Sequence, residues 1–218
     1  SVKFRITTSE PVQTLPANAF TVATTGSLAY GLVTTIAIDS STYEITVTGI
    51  TGDGTIALDQ FVGSSLLDAR GNPSVDTTFI SAVYTVDTTP LTASISRRAA
   101  QPAYTQANSA WFTLTLSEDI VDTSLTISDI ALGTTTGTVA ALNKISETEY
   151  EFQVTGMTSG DFVSATIAAG TITDLAGNGN IASTSSQNVV TYDGTAPVIT
   201  VNSVFSRNVS LQLTGTVD

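Results

Sequence analysis

The chain lacks two side chains on which much protein chemistry depends, and it is poor in positive charge. Among 218 residues there is no cysteine and no histidine, and 7 lysines and arginines stand against 19 aspartates and glutamates. Without cysteine there is no disulfide framework, and the redox compartment cannot be read from thiols. Without histidine the commonest catalytic base is missing. A zinc site is disfavoured because neither of its preferred ligands is available.

The excess of acidic over basic residues limits the classes of partner that the chain can bind. A net charge of −12 excludes nucleic-acid binding through phosphate neutralisation and disfavours anionic membrane surfaces. Converging carboxylates would attract divalent cations, whereas scattered ones would only keep the protein soluble. No apolar run approaches the roughly 18 residues of a membrane span, and no signal peptide is recognisable. The chain starts inside a strand pattern, so we expect it to be part of something longer.

What is present favours β-structure. Hydrophobic residues make up 41% and charged residues 12%, and threonine suits exposed strand positions. Short segments of alternating apolar and polar residues, bounded by turn formers, predict an antiparallel sandwich. The strands predicted in the better-defined half are Leu91–Ser96, Ala110–Leu116, Leu125–Leu132, Gly137–Ile145, Glu149–Gly156, Val163–Ile172 and Gln187–Tyr192.

Four blocks of sequence occur twice at nearly constant spacing. Glu10 and Glu118 lie 108 residues apart in matching Ser-Glu segments, and Asp68 and Asp174 lie 106 apart in matching turns. The remaining pairs are Tyr43–Asp53 with Tyr150–Asp161 and the linkers at Asp87 and Asp193. Such spacing predicts a tandem array of domain-sized units, each touching mainly its neighbours.

The repeat sets the predicted boundaries. Strand Val2–Thr8 matches Trp111–Leu116, so the first unit, residues 1–88, lacks a counterpart of Leu91–Ser96. A complete unit is predicted over 89–196. Residues 197–218 are predicted to supply the first two strands of a third unit, Val198–Val201 and Val209–Gly215. Proline in each linker restricts the backbone, so adjacent units should follow end to end with limited freedom.

Counting strand directions gathers acidic residues at the ends of the units. At the first junction we predict a hard-cation site built from oxygen ligands, with calcium preferred over magnesium, which demands a stricter octahedron. Its predicted ligands are Asp87, Glu118, Asp119, Asp174, Asn178 and Asp53. A second junction would use Asp161 and Asp193, and a half-site would use Glu10, Asp68 and Asn72. The alternative is that these residues only stabilise turns, since Asp and Asn side chains bond nearby backbone.

These motifs resemble a known family. Ser-Glu-Pro-Val at 9–12, Thr-Gly-x-Thr near Thr48 and Thr155, Asp-x-x-Gly-Asn at Asp68 and Asp174, and Asp-Thr-Thr-Pro at Asp87 resemble the bacterial immunoglobulin-like repeats of large surface or secreted adhesins. The resemblance covers residues 1–197, and residues 211–218 resemble the opening of another such module.

The resemblance implies an all-β fold of tandem immunoglobulin-like antiparallel β-sandwiches joined by short linkers. It also implies an extracellular stalk stiffened by calcium, with Asp87, Glu118 and Asp174 as ligands and neighbouring repeats as partners. The chain departs from the pattern with Asp119 in place of the first unit's Pro11. Its second linker is one residue longer and contains Gly194.

Other functions remain open. The acids sit in turns rather than in a cleft, so we do not expect an enzyme. Trp111, Tyr104, Tyr43 and Tyr150 are candidates for stacking on a glycan, although Trp111 is expected to pack in the core and the matched tyrosines to serve the fold. The ends also suggest a subunit of a strand-donating filament. Arg97 and Arg98, the one adjacent basic pair, are expected to pair with acids or to solvate a strand end.

Overall fold

The computed structural model describes residues 1–15, 19–59, 66–74, 81–133, 136–201 and 215–217. The chain divides into two compact units, Ser1–Pro90 with Ala176–Asn178 and Leu91–Leu175 with Gly179–Asp218. Both are built from strands, which confirms the all-β prediction. The three-part division predicted from the sequence stays a prediction. Among the described residues no helix has the length and apolarity needed to cross a membrane.

The first unit contains two three-stranded sheets, ordered β1-β4-β3 and β2-β5-β6. Every pairing within them is antiparallel. Side chains from both sheets share one core, which is the arrangement of a sandwich. The strands are β1 Val2–Thr7, β2 Thr21–Thr24, β3 Val33–Ala37, β4 Thr42–Val47, β5 Gly54–Asp59 and β6 Tyr84–Val86.

The second unit is organised around a five-stranded sheet, ordered β11-β12-β9-β7-β15, that faces the strands of the β13-β16-β8 and β10-β14 sheets across one core. β17 pairs antiparallel with β18. The strands are β7 Ala93–Arg97, β8 Tyr104–Thr105, β9 Ser109–Leu116, β10 Ala131–Leu132, β11 Thr138–Lys144, β12 Glu149–Thr155, β13 Phe162–Val163, β14 Ala165–Thr166, β15 Thr184–Ser185, β16 Val190–Tyr192, β17 Ile199–Val201 and β18 Gly215–Val217.

Alternation along the strands explains which side chains form the cores. Every second residue of β12 is buried, namely Tyr150, Phe152 and Val154, because successive side chains of a strand point to opposite faces. Phe112 on β9 stacks on Phe152 with ring centroids 5.2 Å apart. The central strands therefore hold the core through a single face.

The two units share a strand register. β1 pairs antiparallel with β4, and β9 pairs in the same way with β12. The matching pairs are Phe4↔Ile45 with Phe112↔Phe152 and Ile6↔Tyr43 with Leu114↔Tyr150. The repeated sequence blocks therefore occupy corresponding positions in the two sheets.

Three predicted strands differ from the structure. Leu125–Leu132 is wrong for most of its length: two single-turn 3-10 helices, Asp122–Ser124 and Ile127–Asp129, precede the short β10. The predicted strand Val163–Ile172 contains only the last residue of β13 and the two residues of β14. In the predicted strand Gln187–Tyr192, the observed strand starts at Val190. A positive φ of 51° at Gln187 keeps that residue out of the strand.

The other strand predictions in this half hold, apart from small shifts at their ends. Two short strands, β8 and β15, were not predicted. The predicted strand Val209–Gly215 lies outside the described residues except for Gly215, which begins β18.

Candidate functional site

In the first unit, Asp68 closes its own turn. Its Oδ1 accepts hydrogen bonds from the backbone amides of Arg70 and Asn72, both at 2.8 Å, and its Oδ2 accepts one from Asn72 Nδ2 at 2.6 Å. The Asn72 amide contributes most to holding the pKa of the Asp68 carboxyl below its ordinary value. A bridge between Val12 and Asp68 joins this turn to the segment of Glu10, which is exposed. The geometry is that of a turn held by an aspartate.

In the second unit, the corresponding turn contains a more deeply buried carboxylate. Asp174 is 1% exposed, and a bridge between Ile120 and Asp174 joins its turn to the loop after β9. That loop carries Glu118, which is half-buried, and Asp119, which is exposed. The structure therefore brings two predicted acidic loops to the same end of this unit.

Asp53 binds the linker at the end of the first unit. Its Oδ1 accepts from the Thr88 amide at 2.6 Å and from the Thr88 hydroxyl at 2.9 Å, and its Oδ2 accepts from the Thr89 hydroxyl. The Thr89 hydroxyl, followed by the two Thr88 donors, holds the pKa of the Asp53 carboxyl below its ordinary value. In this arrangement Asp53 stabilises the conformation of the linker.

Asp87 forms a tight turn within the same linker. Its Oδ1 accepts from the Thr89 amide at 2.9 Å, and its side chain is half-buried. Asn178, which groups with the first unit, donates from Nδ2 to the Asp87 carbonyl oxygen at 3.1 Å. The side-chain amide of Asn178 thus donates a hydrogen bond to the backbone of the linker.

Asp161 and Asp193 lie near each other in the second unit. The Tyr192 amide donates to the Asp161 carbonyl oxygen at 2.9 Å, which places the two acids in adjacent segments. Asp161 Oδ2 accepts from the Thr136 hydroxyl and amide and from the Thr158 amide, at 2.9 to 3.2 Å. These bonds, led by the Thr136 hydroxyl, lower the pKa of the Asp161 carboxyl. Asp193 Oδ1 accepts from the Thr195 amide at 2.9 Å, as in an aspartate-led turn.

Three of the predicted ligands, Asp53, Asp68 and Asp161, each accept several hydrogen bonds from donors of their own unit. Asp87, Glu118 and Asp174 are likewise at least partly buried, and carboxylate oxygens are the ligands that calcium prefers. Participation of these three in one site stays a prediction.

Trp111 does not pack in the core, so that expectation was wrong. Its β9 neighbour Phe112 is the fully buried residue, and Trp111 lies half-buried on the opposite face. The guanidinium of Arg98 lies over the Trp111 ring, 5.2 Å from its centroid, and forms an ion pair with Glu151 at 2.8 Å. The ion pair confirms that Arg98 pairs with an acid. The guanidinium of Arg98 also covers one face of Trp111, the only tryptophan in the sequence.

The other aromatic candidates separate by burial. Tyr104 is 76% exposed, whereas Tyr43 and Tyr150 are each 5% exposed at matching positions. Burial raises the pKa of the Tyr150 hydroxyl. The matched tyrosines are core residues, as expected, and of these three candidates Tyr104 is the one that is open to solvent.

Sequence reasoning missed Asn180, a buried amide that joins three backbone segments. Its Oδ1 accepts from the amides of Thr171 and Ile172 at 2.8 and 2.9 Å, and its Nδ2 donates to the carbonyls of Ala168 and Ile181 at 2.8 and 2.7 Å. The signal for it in the sequence is a second asparagine two residues after the Asp-x-x-Gly-Asn turn. Its role is structural.

Comparisons with known proteins assign no family. No family model matches the chain, and no curated protein matches it. Among solved structures the chain is similar to FdeC, described as a broadly conserved Escherichia coli adhesin, with 14% sequence identity and a TM-score of 0.40. The match covers 88% of this chain, which spans 59% of that chain.

Proposed function

We propose that this chain is a run of tandem immunoglobulin-like spacer domains from a bacterial cell-surface or secreted adhesin. The observation that carries the proposal is internal repetition at two levels. The sequence blocks recur every 106 to 108 residues, and the β1–β4 and β9–β12 pairs share a register with matching buried tyrosines. Domains repeated in one chain serve to set length and spacing.

Calcium between consecutive domains would stiffen this spacer. The proposed ligands are the carboxylates of Asp87, Glu118 and Asp174, with backbone carbonyls and water completing a shell of 6–8 oxygens. Two features support this part of the proposal. Carboxylates with little exposure are stabilised by a nearby cation, and a net charge of −12 favours the binding of positive ions. The affinity expected of an extracellular calcium module is about 10⁻⁴–10⁻³ M.

The proposed activity is mechanical rather than catalytic. The partners would be neighbouring repeats of the same chain, and contact with a surface or glycan would fall to other parts of the adhesin. Within this chain the exposed Tyr104 is the residue from which a search for a glycan contact would start, because aromatic rings stack on sugars.

Small-angle scattering tests the spacer and the calcium together. The maximum dimension of residues 1–218 is measured in EDTA and then in millimolar calcium, with calorimetry giving the stoichiometry. We expect a longer and narrower particle in calcium for the natural chain and for Glu147→Gln, a matched control that removes an exposed carboxylate. We expect Asp87→Ala and Glu118→Gln to lose both the lengthening and the calcium heat.

The two parts of the proposal fail separately. A calcium heat that is absent from the natural chain would remove the cation and leave the spacer. A compact particle in both buffers would remove the spacer. If Asp87→Ala instead lowered the melting temperature of a domain in EDTA, Asp87 would serve the fold rather than a hinge.

A further inference from the structure

Three side chains of the second unit form one row across the β13-β16-β8 sheet. Phe162 lies opposite Thr191, and Thr191 lies opposite Tyr104. Residues paired across neighbouring strands point to the same face of a sheet. The other face is the core face, because Val163 and Val190, the next residues of their strands, are fully buried. The side chains of the row therefore point away from the core.

Both aromatic rings of this row are open to solvent. Phe162 is 45% exposed and Tyr104 is 76% exposed, and Thr191 between them is partly exposed. The adjacent Val189 is also 45% exposed. Single apolar side chains on a surface need no explanation, but several in one place mark a binding surface.

The fold itself does not require the row. In the first unit Thr85 stands two residues before the linker acid, as Thr191 does in the second unit. Thr55 lies opposite Thr85, so it takes the place of Phe162. The Thr55 hydroxyl is bonded to that of Thr25 at 2.7 Å. A small polar residue therefore serves the sandwich at this position, and the exposed phenylalanine calls for a reason other than folding.

The distance between the rings limits the shape of a ligand. β13 and β8 lie on either side of β16, so Phe162 and Tyr104 are two interstrand spacings apart, about 9.6 Å. In an extended β-1,4-linked pyranose chain successive sugars are inverted, so every second sugar presents the same apolar face to one side, and two sugars span a comparable length. The electron-rich face of an aromatic ring attracts the C–H groups of such a sugar face. The two rings can thus stack on alternate sugars while the Thr191 hydroxyl faces the hydroxyls of the sugar between them.

Area and charge favour a neutral glycan over a protein or an anionic glycan. The strands of this sheet are two or three residues long, and two aromatic side chains offer at most about 500 Å². A stable protein interface needs about 800 Å² on each partner. The exposed Asp193, two residues beyond Thr191, and the net charge of −12 repel uronate and sulfated chains.

We propose that the row of Phe162, Thr191 and Tyr104 binds an extended, neutral, β-1,4-linked oligosaccharide, with one aromatic ring stacked on each of two alternate sugars. Binding at one such row is weak, because an open sheet face covers only one side of the ligand, whereas pockets enclose most of it. This activity goes beyond the spacer function, and it depends neither on that function nor on the calcium site.

Cellohexaose, a soluble β-1,4-linked glucose oligomer, is the probe. It is added to the full 218-residue chain in EDTA, and the amide signals of Phe162, Thr191 and Tyr104 are followed by NMR. We expect saturable shifts of these three signals at millimolar sugar. The amide of Tyr30, a 40% exposed tyrosine of the first unit, should not shift. Maltohexaose, the α-1,4-linked isomer whose chain curves, is the control sugar and should give no saturable shift.

Substitutions that remove one ring at a time test the stacking. We expect Tyr104→Ser and Phe162→Thr, which introduces the residue type of the first unit, each to weaken cellohexaose binding about tenfold. Tyr104→Phe keeps the ring and should bind as the natural chain does. Tyr30→Ser removes an exposed tyrosine elsewhere and should leave the affinity unchanged. Thermal melts of each variant establish that it folds.

Three results would overturn the proposal. The first is no saturable shift at millimolar cellohexaose, and the second is an equal response to maltohexaose. The third is a shift of the same signals that rises with protein concentration without sugar, since a second copy of the chain would then be the occupant. Tyr104→Ser remains decisive if Phe162→Thr fails to fold, because Tyr104 is mostly exposed. Failure of sugar binding would leave the scattering test of the spacer unaffected.

Discussion

Asn180 is the clearest case of one residue fixing a local fold. All four of its hydrogen bonds go to backbone groups, and it is 3% exposed. We expect Asn180→Ala to lower the unfolding free energy by about 2–4 kcal/mol, because buried donors and acceptors would lose their partners. Urea denaturation followed by Trp111 fluorescence measures this. Asn143→Ala, at an exposed position of β11, is the control and should stay within about 0.5 kcal/mol; equal losses in both variants would contradict the assignment.

The first unit shows why this role was hard to foresee. Ser74 stands at the position corresponding to Asn180, as its amide donates to the Leu66 carbonyl just as the Asn180 amide donates to that of Ile172. A serine hydroxyl is too short for four backbone contacts, and among the described residues the Ser74 Oγ has no hydrogen-bond partner. The two units share the backbone path at this position but differ in the side chain. Comparing the two repeated sequences therefore does not single out Asn180.

The charged carboxylate of Asp53 stabilises the linker by accepting hydrogen bonds from Thr88 and Thr89. We expect Asp53→Asn to make the Thr88 amide exchange roughly tenfold faster at neutral pH, because the bonds to a charged carboxylate are the stronger ones. Its pKa is lowered, so its stabilising effect is present above the ordinary value of about 4 and is lost as the pH falls through the folded value. Asp39→Asn, which removes another turn carboxylate, is the control. Unchanged Thr88 exchange in Asp53→Asn would mean that the linker is held by other contacts.

At the scale of elements, the two units treat one sheet edge differently. In the second unit the edge strand β11 has a register shift between Val139 and Ala141, and Lys144 is paired with Asp122 and Glu147. In the first unit the register between β3 and β4 is continuous, and Ile36 is 60% exposed. Bulges and lysines are devices that protect edges from pairing with other chains.

Ile36→Lys should therefore reduce aggregation. We expect a higher onset temperature of light scattering on heating and an unfolding free energy within about 0.5 kcal/mol of the natural chain, since the site is exposed. Ile36 lies opposite Glu44, as Asn143 lies opposite Glu151. Asn143→Lys is thus the matched control, and we expect it to change the onset little. The same gain from both substitutions would assign the effect to net charge rather than to the β3 edge.

Elements with clean alternation could be predicted, and elements set by turn chemistry could not. β9 and β12 alternate along their length and were predicted to within one residue. In 125–132 the buried residues are Leu125 and Ile130, a spacing that suits neither a strand nor a long helix. A capping box sets this segment: Thr126 and Asp129 cap each other's backbone around a single 3-10 turn. The Thr-x-x-Asp spacing is present in the sequence, but no helical period follows it. β8 and β15, with two residues each, are too short to show any alternation.

The candidate acids divide along the same line. The turn role of Asp68 follows from its Asp-x-x-Gly-Asn sequence, because all its partners lie within four residues. The partners of Asp53 lie 35 and 36 residues away along the chain, and those of Asp161 include Thr136, 25 residues away. Such pairings depend on how strands end in space. The sequence predicts that these acids lie at the ends of units and bind an ion. It does not predict that threonine side chains and amides donate hydrogen bonds to their carboxylate oxygens.

For the whole molecule, the absence of histidine and cysteine determines how stability depends on pH. The carboxyls have ordinary pKa values near 4, and the lysines and tyrosines near 10. Histidine and cysteine, the side chains whose ordinary pKa values lie between those two ranges, are absent. The pKa values of Asp39, Asp53, Asp68, Asp122 and Asp161 are all lowered by hydrogen bonds. That of Lys144 is raised by Asp122 and Glu147.

The melting temperature in EDTA should therefore be flat from about pH 5 to pH 9 and fall below about pH 4. A carboxyl with a lowered folded pKa contributes stability above its unfolded pKa and loses that contribution as the pH drops through the folded value. Lys144 has a raised pKa, so its contribution is present below about pH 10 and is lost as the pH rises further. Circular dichroism melts at one-unit intervals measure the profile, and a second series in calcium separates any ion-linked stability. A change between pH 5 and pH 8 in EDTA would contradict this account, because it would require a carboxyl that the fold keeps protonated near neutrality.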